Sequence, residues 1–173
     1  MFKTHLPMEI NFLVIALTAL VPLAIGFIWY NPKTFGNAWM AETGMTPEQG
    51  KDMNMLKVFG LTYVMSLLIA FILQPIVIHQ FGVFSILVDE PGFNDPASAT
   101  GQYFSDFMAK YGNNFRSFKH GALHGTITGL FLLMPMFTIN ALFERKSFKY
   151  IAINSGYWIV SLAIMGGIIC AQG

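Results

Sequence analysis

The chain has 173 residues, 54% of them hydrophobic and only 11% charged, with 10 basic and 9 acidic side chains and a formal net charge of +1. That composition lies outside the range of ordinary soluble domains and supplies no Lys or Arg cluster of the kind that grips nucleic-acid phosphates. The lone Cys170 has no partner for an internal disulfide, and no Cys or His spacing matches a zinc finger.

Four stretches carry no Asp, Glu, Lys or Arg: residues 10–35, interrupted only by Lys33, then 58–88, 120–143 and 150–173. A bilayer core about 30 Å thick takes roughly 20 apolar residues to cross as a helix, and each stretch holds that many. The reading is an all-α, four-helix transmembrane bundle forming a single membrane domain over residues 1–173, with spans near 10–30, 58–78, 118–143 and 150–170. The N-terminus has only Lys3 before an apolar run too long for a signal peptide, so the first segment is expected to be retained as a span.

Trp29 and Tyr30, followed by Asn31-Pro32-Lys33, mark the exit of span one into the headgroups. With Phe35, Trp39 and Met40 they predict an interfacial aromatic cluster, joined by Trp158 from span four; a belt with ordinary packing outweighs a cage for a lipid or other apolar ligand. Thr46-Pro47-Glu48-Gln49 reads as a capping box opening a helix that runs on into span two. The second stretch overshoots the bilayer, so residues 81–88 are expected to lie at the interface or fold back over the bundle.

From Asp89 to Asn114 the chain turns polar, yet Tyr103, Phe104, Phe107, Met108 and Tyr111 recur at helical spacing opposite Gln102, Asp106 and Lys110. This predicts an amphipathic interfacial helix in the long loop between spans two and three. Pro22, Pro75 and Pro135 fall inside spans and free the carbonyls of Thr18, Phe71 and Phe131; Gln74 could donate to one of them. Asn140 and Asn154, near the third loop, could bond each other or cap helix ends.

Span three opens with His120-Gly121-Ala122-Leu123-His124-Gly125 and continues to Gly129. Gly121, Gly125 and Gly129 form a bare stripe at four-residue spacing, and Ala163, Gly167 and Ala171 on span four match it, which predicts close packing of the two helices or, in competition, a homodimer. His120, His124 and Thr128 border the glycine stripe. With His79 at the end of span two and His5 in the tail, all four histidines belong to the face that carries the termini. They nominate His79, His120 and His124 as a metal or haem site, with Asp106 or Glu90 completing it, against a bland role bonding headgroups.

The face with the two short loops carries six basic residues (Lys33, Lys51, Lys57, Arg145, Lys146, Lys149) and the terminal face four (Lys3, Lys110, Arg116, Lys119). The positive-inside rule therefore puts both termini outside. Apart from Lys119 at the very start of span three, no Asp, Glu, Lys or Arg sits within a span, no catalytic motif is present and no nucleotide loop exists, so the reading favours a non-enzymatic accessory subunit, scaffold or homo-oligomer. Its partners would be the lipid bilayer and itself or another membrane protein, with no nucleic acid. The alternatives are a small transporter or channel built on the proline-broken helices, and a histidine-dependent metal- or haem-binding membrane protein.

The run Gly26-x-x-Trp29-Tyr30-x-Pro32-x-x-Phe35-Gly36-x-x-Trp39, then Glu42-x-Gly44-x-Thr46-Pro47-Glu48, resembles a family of small membrane proteins known as domain of unknown function 1761. The glycine-rich opening of span three and Phe143-Glu144-Arg145 are similar to it as well. The resemblance covers nearly the whole chain and implies a bacterial inner-membrane protein of four spans. It implies no activity. The loop over residues 81–117 is longer than the family pattern suggests.

Overall fold

The computed structural model describes residues 10–46, 48–49 and 53–173, all helix, turn and loop. Four helical segments are long and apolar enough to cross a membrane: Phe12–Trp29, Met55–Val77, Phe118–Phe143 and Phe148–Gln172. The last is the hub of the bundle, because 56% of its most apolar stretch is buried against 11% to 22% for the other three. Large apolar side chains elsewhere point outward, among them Phe27, Phe131 and Phe143 at 77% exposure or more. In a soluble protein such exposure would be an aggregation surface; in a bilayer it is the lipid-facing wall.

Span one is two helices, α1 (Phe12–Thr18) and α2 (Val21–Trp29), rather than one unbroken helix. Pro22 sits in the first turn of α2, where its missing N–H costs nothing. At the joint the Leu20 N–H bonds back only three residues, to Leu17, and the Ala16 carbonyl accepts instead from the Tyr63 hydroxyl at 3.2 Å. The capping box is present, with Gln49 N–H on Thr46 Oγ1 at 3.3 Å and Thr46 N–H on Gln49 Oε1 at 2.9 Å; Pro47 lies outside the described residues. The expectation that this helix runs into span two fails. Asn54 takes an extended conformation and caps a fresh helix through Lys57 N–H, so the second crossing starts its own hydrogen-bond ladder. Before them α3 (Gly36–Thr43) ends on Gly44, left-handed at φ +72°.

Helix α4 (Met55–Val77) tolerates Pro75 because it ends two residues later, and Gln74 Nε2 donates to the Phe71 carbonyl at 3.4 Å. The chain then folds back as α5 (Gln80–Leu87) under the amphipathic helix α6 (Ala99–Tyr111). Phe84, Phe93 and Phe104 form one aromatic knot, with centroids 5.0 to 6.3 Å apart. Gln80 Nε2 ties α5 to the far end of that loop through the carbonyls of Tyr111 and Asn114. Tyr103 leaves the predicted apolar face and is 61% exposed.

Span three comprises α7 (Phe118–Thr128), a π turn over Gly129–Leu133, and α8 (Met134–Phe143). The π turn is the local answer to Pro135, since the wider ladder lets Met134 N–H reach Gly129, five residues back, just before the missing donor. Arg145, left-handed at φ +55°, turns the chain with Lys146 N–H on the Ala141 carbonyl. Ser147 then caps α9 (Phe148–Gln172), two residues ahead of the predicted start. Glu42 ties α3 to this turn through Lys149 at 3.8 Å and the Ser147 hydroxyl.

The contact that orders the bundle is α7 on α9. A Cβ on Gly121 would stand 2.1 Å from the Gly166 carbonyl oxygen, one on Gly125 2.0 Å from that of Leu162, and one on Gly129 2.8 Å from Ile159 Cα. The stripe on α9 is thus Ile159, Leu162 with Ala163, Gly166 and Cys170, while Gly167 lies against the Phe118 ring. The predicted row Ala163, Gly167, Ala171 drifts off this line, because strict four-residue steps advance 40° per step on a helix of 3.6 residues per turn. The glycine stripe is filled by α9 of the same chain. Gly125→Ala should cost about 1–3 kcal/mol by forcing the helices apart. Gly60→Ala, where a Cβ meets open space, should be neutral or stabilising by up to about 1 kcal/mol. Reversible unfolding in micelles reads both.

Candidate metal centre

Three of the sequence-nominated residues meet at the end of the bundle where the chain's last helix finishes. α4 stops at Val77, Ile78 is extended and buried, and His79 opens the fold-back helix, swinging its imidazole toward α7. His120 and His124, one turn apart on α7, face it. Ring centroids are 4.8 Å apart for His79 and His120, 4.8 Å for His79 and His124, and 4.6 Å for His120 and His124. One nitrogen from each ring falls in a group within 4.8 Å, and the Nε2 atoms of His79 and His120 are 2.8 Å apart. At that distance one of the two carries a proton and the other accepts it.

The ligand chemistry is three imidazoles. Neither Asp106 nor Glu90 belongs to the group, and His5 lies outside the described residues. Thr128, the third member of the row, turns its hydroxyl onto the His124 carbonyl at 2.8 Å and takes no part. An imidazole set without carboxylates suits zinc, copper, nickel or cobalt and not magnesium or calcium. Around one tetrahedral ion with bonds of 2.0–2.1 Å, nitrogens stand about 3.3 Å apart, within reach of small ring movements here. Haem fits poorly: its iron offers two axial positions on opposite faces of the porphyrin, and three rings in mutual contact leave no room for the plane between them.

Two features that the sequence did not nominate hold the rings in place. Phe115, left-handed at φ +63°, walls the site, with its centroid 5.0 Å from His120 and 6.0 Å from His79. A bulky residue in that conformation is strained and stays there only because its surroundings dictate it. They do so through Cys170, fully buried on α9, whose Sγ is 3.2 Å from the Val77 carbonyl and 3.3 Å from that of Phe115. One thiol thus sits between the segment leading to His79 and the segment leading to His120. Arg116 closes the clasp, with Nε donating to the Cys170 carbonyl at 2.9 Å, and its burial pulls the guanidinium below its ordinary value. Nothing in the spacing of Cys170 could have nominated it, since its partners lie 55 and 93 residues away.

The aromatic cluster at the opposite end is also assembled. Trp29 stacks near Phe35 at 4.6 Å and donates to the Ile153 carbonyl at 3.0 Å, and Tyr30 lies 5.4 Å from Trp39 and 5.3 Å from Tyr157. Trp158 packs on Tyr157 at 5.1 Å. The partner of Asn154 is Tyr30, whose hydroxyl donates to Oδ1 at 3.2 Å, and not Asn140. Gly36 is required there, because a Cβ would stand 2.2 Å from the Tyr30 carbonyl oxygen.

Removing the thiol tests the clasp. Cys170→Ala takes the thiol from the Val77 carbonyl, leaves the Phe115 carbonyl with only the Ser117 N–H and opens a void between them, and should cost about 1–3 kcal/mol. Cys170→Ser keeps a donor in place and should cost less; thermal unfolding of the detergent-solubilised protein compares the two.

No curated protein and no solved structure matches the chain. A family model described as protein of unknown function (DUF1761) matches residues 13–170, nearly the whole length and including His79, His120, His124 and the aromatic run. The chain belongs to the DUF1761 family.

Proposed function

We propose that this membrane protein binds a single transition-metal ion of the zinc type through His79, His120 and His124. The observation that carries the reading is the convergence of three imidazole nitrogens, from two separate crossings, to within 4.8 Å. A scaffold needs no such meeting, and headgroup-bonding histidines would splay outward rather than face one another. Three neutral nitrogen ligands leave a fourth coordination position for water or an exogenous ligand, and the exposure of His79 gives the ion a route in. The backbone-packed α7 and the Cys170 clasp supply the rigidity that a preorganised site needs.

Protein purified through a tag free of histidine, exposed to zinc and freed of excess by gel filtration, should retain about one ion per chain. His79→Ala, His120→Ala and His124→Ala should each weaken binding by roughly 100-fold while leaving helical content intact. Equal retention by wild type and all three variants would overturn the assignment. Because a ligand must shed its proton to bind, retention should also fall in acid.

The same reading sets the protein in a bacterial inner membrane with both termini and the histidine end on the periplasmic side. Its support is the excess of basic residues in the short loops, above all Arg145, Lys146 and Lys149. Alkaline phosphatase fused after Gly173 should be active and green fluorescent protein dark in the same position; the reverse result inverts the topology.

A further inference from the structure

Unmet hydrogen bonds in the membrane interior gather beside the break in span one. Thr18 ends α1, and its carbonyl lacks the usual donor four residues on because Pro22 has no N–H. Its hydroxyl is also without a partner among the described residues, as are those of Ser66 on α4 and Ser161 on α9, and all three residues are buried at 0% or 1% exposure. Other helical threonines show what a hydroxyl ordinarily does in such a place: Thr43, Thr62, Thr126, Thr128 and Thr138 each donate to the carbonyl four residues back. Thr18 and Ser66 also have a carbonyl at that offset, on Val14 and Thr62, and do not use it. The contrast extends to the cleft of about 780 Å³ between α2 and α4, where the hydroxyls of Tyr30, Thr62 and Tyr157 in the lining each bond a protein oxygen.

The three hydroxyls share one level of the bundle. Ile15, Ala70 and Met165 belong to a single core cluster, and Thr18, Ser66 and Ser161 each stand one helical turn from one of them. Span one runs antiparallel to α4 and α9, with Asn11 on the Gln172 carbonyl and Tyr157 on that of Pro22, so the three steps lead the same way, toward the break. Ser161 there adjoins the Tyr157 hydroxyl, and Ser66 lies one turn along α4 from Tyr63, which reaches the Ala16 carbonyl. Polar groups buried in hydrocarbon without partners are costly. The partner that satisfies these must donate to the Thr18 carbonyl and accept from the hydroxyls. A cation meets the oxygens but leaves the hydroxyl protons without an acceptor, and no Asp or Glu lies within the four crossings to balance its charge. Water does both. We infer that the joint between α1 and α2 binds internal water, held by the Thr18 carbonyl and the hydroxyls of Thr18, Ser66 and Ser161. The water ties span one to α4 and α9 where Pro22 cannot continue the ladder. This site shares no residue with the histidine centre and does not depend on it.

Solid-state NMR of the labelled protein in bilayers tests this directly, through the transfer of magnetisation from water protons to side-chain carbons. The Cβ signals of Thr18 and Ser66 should build up roughly threefold faster than those of Ala70 and Leu73, which are as deeply buried in the apolar core. Thr18→Val and Ser66→Ala keep the shape of the site while removing a hydroxyl. Were the hydroxyls dry, each substitution would remove an unmet polar group and raise the melting temperature. With water bound, each should instead lower it by about 2–4 °C, and the double variant should slow the Ser161 build-up to the Ala70 level. Build-up at Thr18 and Ser66 no faster than at Ala70 in the wild type, or a rise in melting temperature for either variant, would overturn the inference. A shift of the Thr18 signals that saturates with sodium chloride and not with choline chloride would do the same, by making the ligand a cation.

Discussion

Within a bilayer the hydrophobic effect does not choose between one apolar helix and another, because lipid tails are as good a solvent as leucine. What holds this bundle in one arrangement is therefore close van der Waals contact, and that is possible only where side chains are missing. Gly121 and Gly125 on α7 lie with their Cα atoms against the backbone of Leu162, Ala163 and Gly166, so that no Cβ could be fitted between. Once α7 is seated on α9, the depth and rotation of both are fixed. The other crossings then pack around α9, whose buried residues Leu162, Met165, Ile169 and Cys170 meet Ile15 of α1 and Ala70, Leu73 and Val77 of α4 in one core cluster.

The histidine centre inherits its geometry from that contact. His120 and His124 occupy the flank of α7 next to the glycine stripe, so their direction is set when the stripe is buried. His79 arrives from a different helix, and its position depends on where α4 is made to stop. Pro75 in the last turn and the extended Ile78 end the helix, and the Cys170 thiol holds the Val77 carbonyl against α9. The same thiol and Arg116 hold the strained Phe115 on the other side. The C-terminal helix thus fixes both of the segments that lead to the histidines, through backbone carbonyls and not through the rings themselves.

Polar groups follow a matching economy. Proline lies in three crossings, and each has a local irregularity beside it: a break between α1 and α2 in span one, Gln74 on the Phe71 carbonyl in span two, and a π turn in span three. Tyr157 and Trp29 bond carbonyls across the bundle rather than water or lipid. Unmade hydrogen bonds are costly in a medium without water, so irregular backbone survives only where another side chain can reach it. This is also why the cleft between α2 and α4 presents so little polarity despite two tyrosines and a threonine in its walls.

The sequence by itself determined the number and approximate limits of the crossings, the amphipathic helix in the long loop, the capping box at Thr46 and the gathering of histidines toward one end. These follow from hydropathy, helical period and cap chemistry, which are properties of neighbouring residues. It also nominated His79, His120 and His124 together, because the topology of four crossings brings the ends of spans two and three to one face. What it could not supply was register. Whether Gly166 or Gly167 meets Gly121 depends on how two 3.6-residue helices drift along each other, and a four-residue reading is wrong by one position within two turns. That the Ala16 carbonyl, beside the break between α1 and α2, is taken by Tyr63 of another crossing is likewise decided only by packing. Most of all, the clasp of Cys170 on Val77 and Phe115 joins residues far apart in the chain, and a hydrogen bond of that kind exists only after the helices have packed.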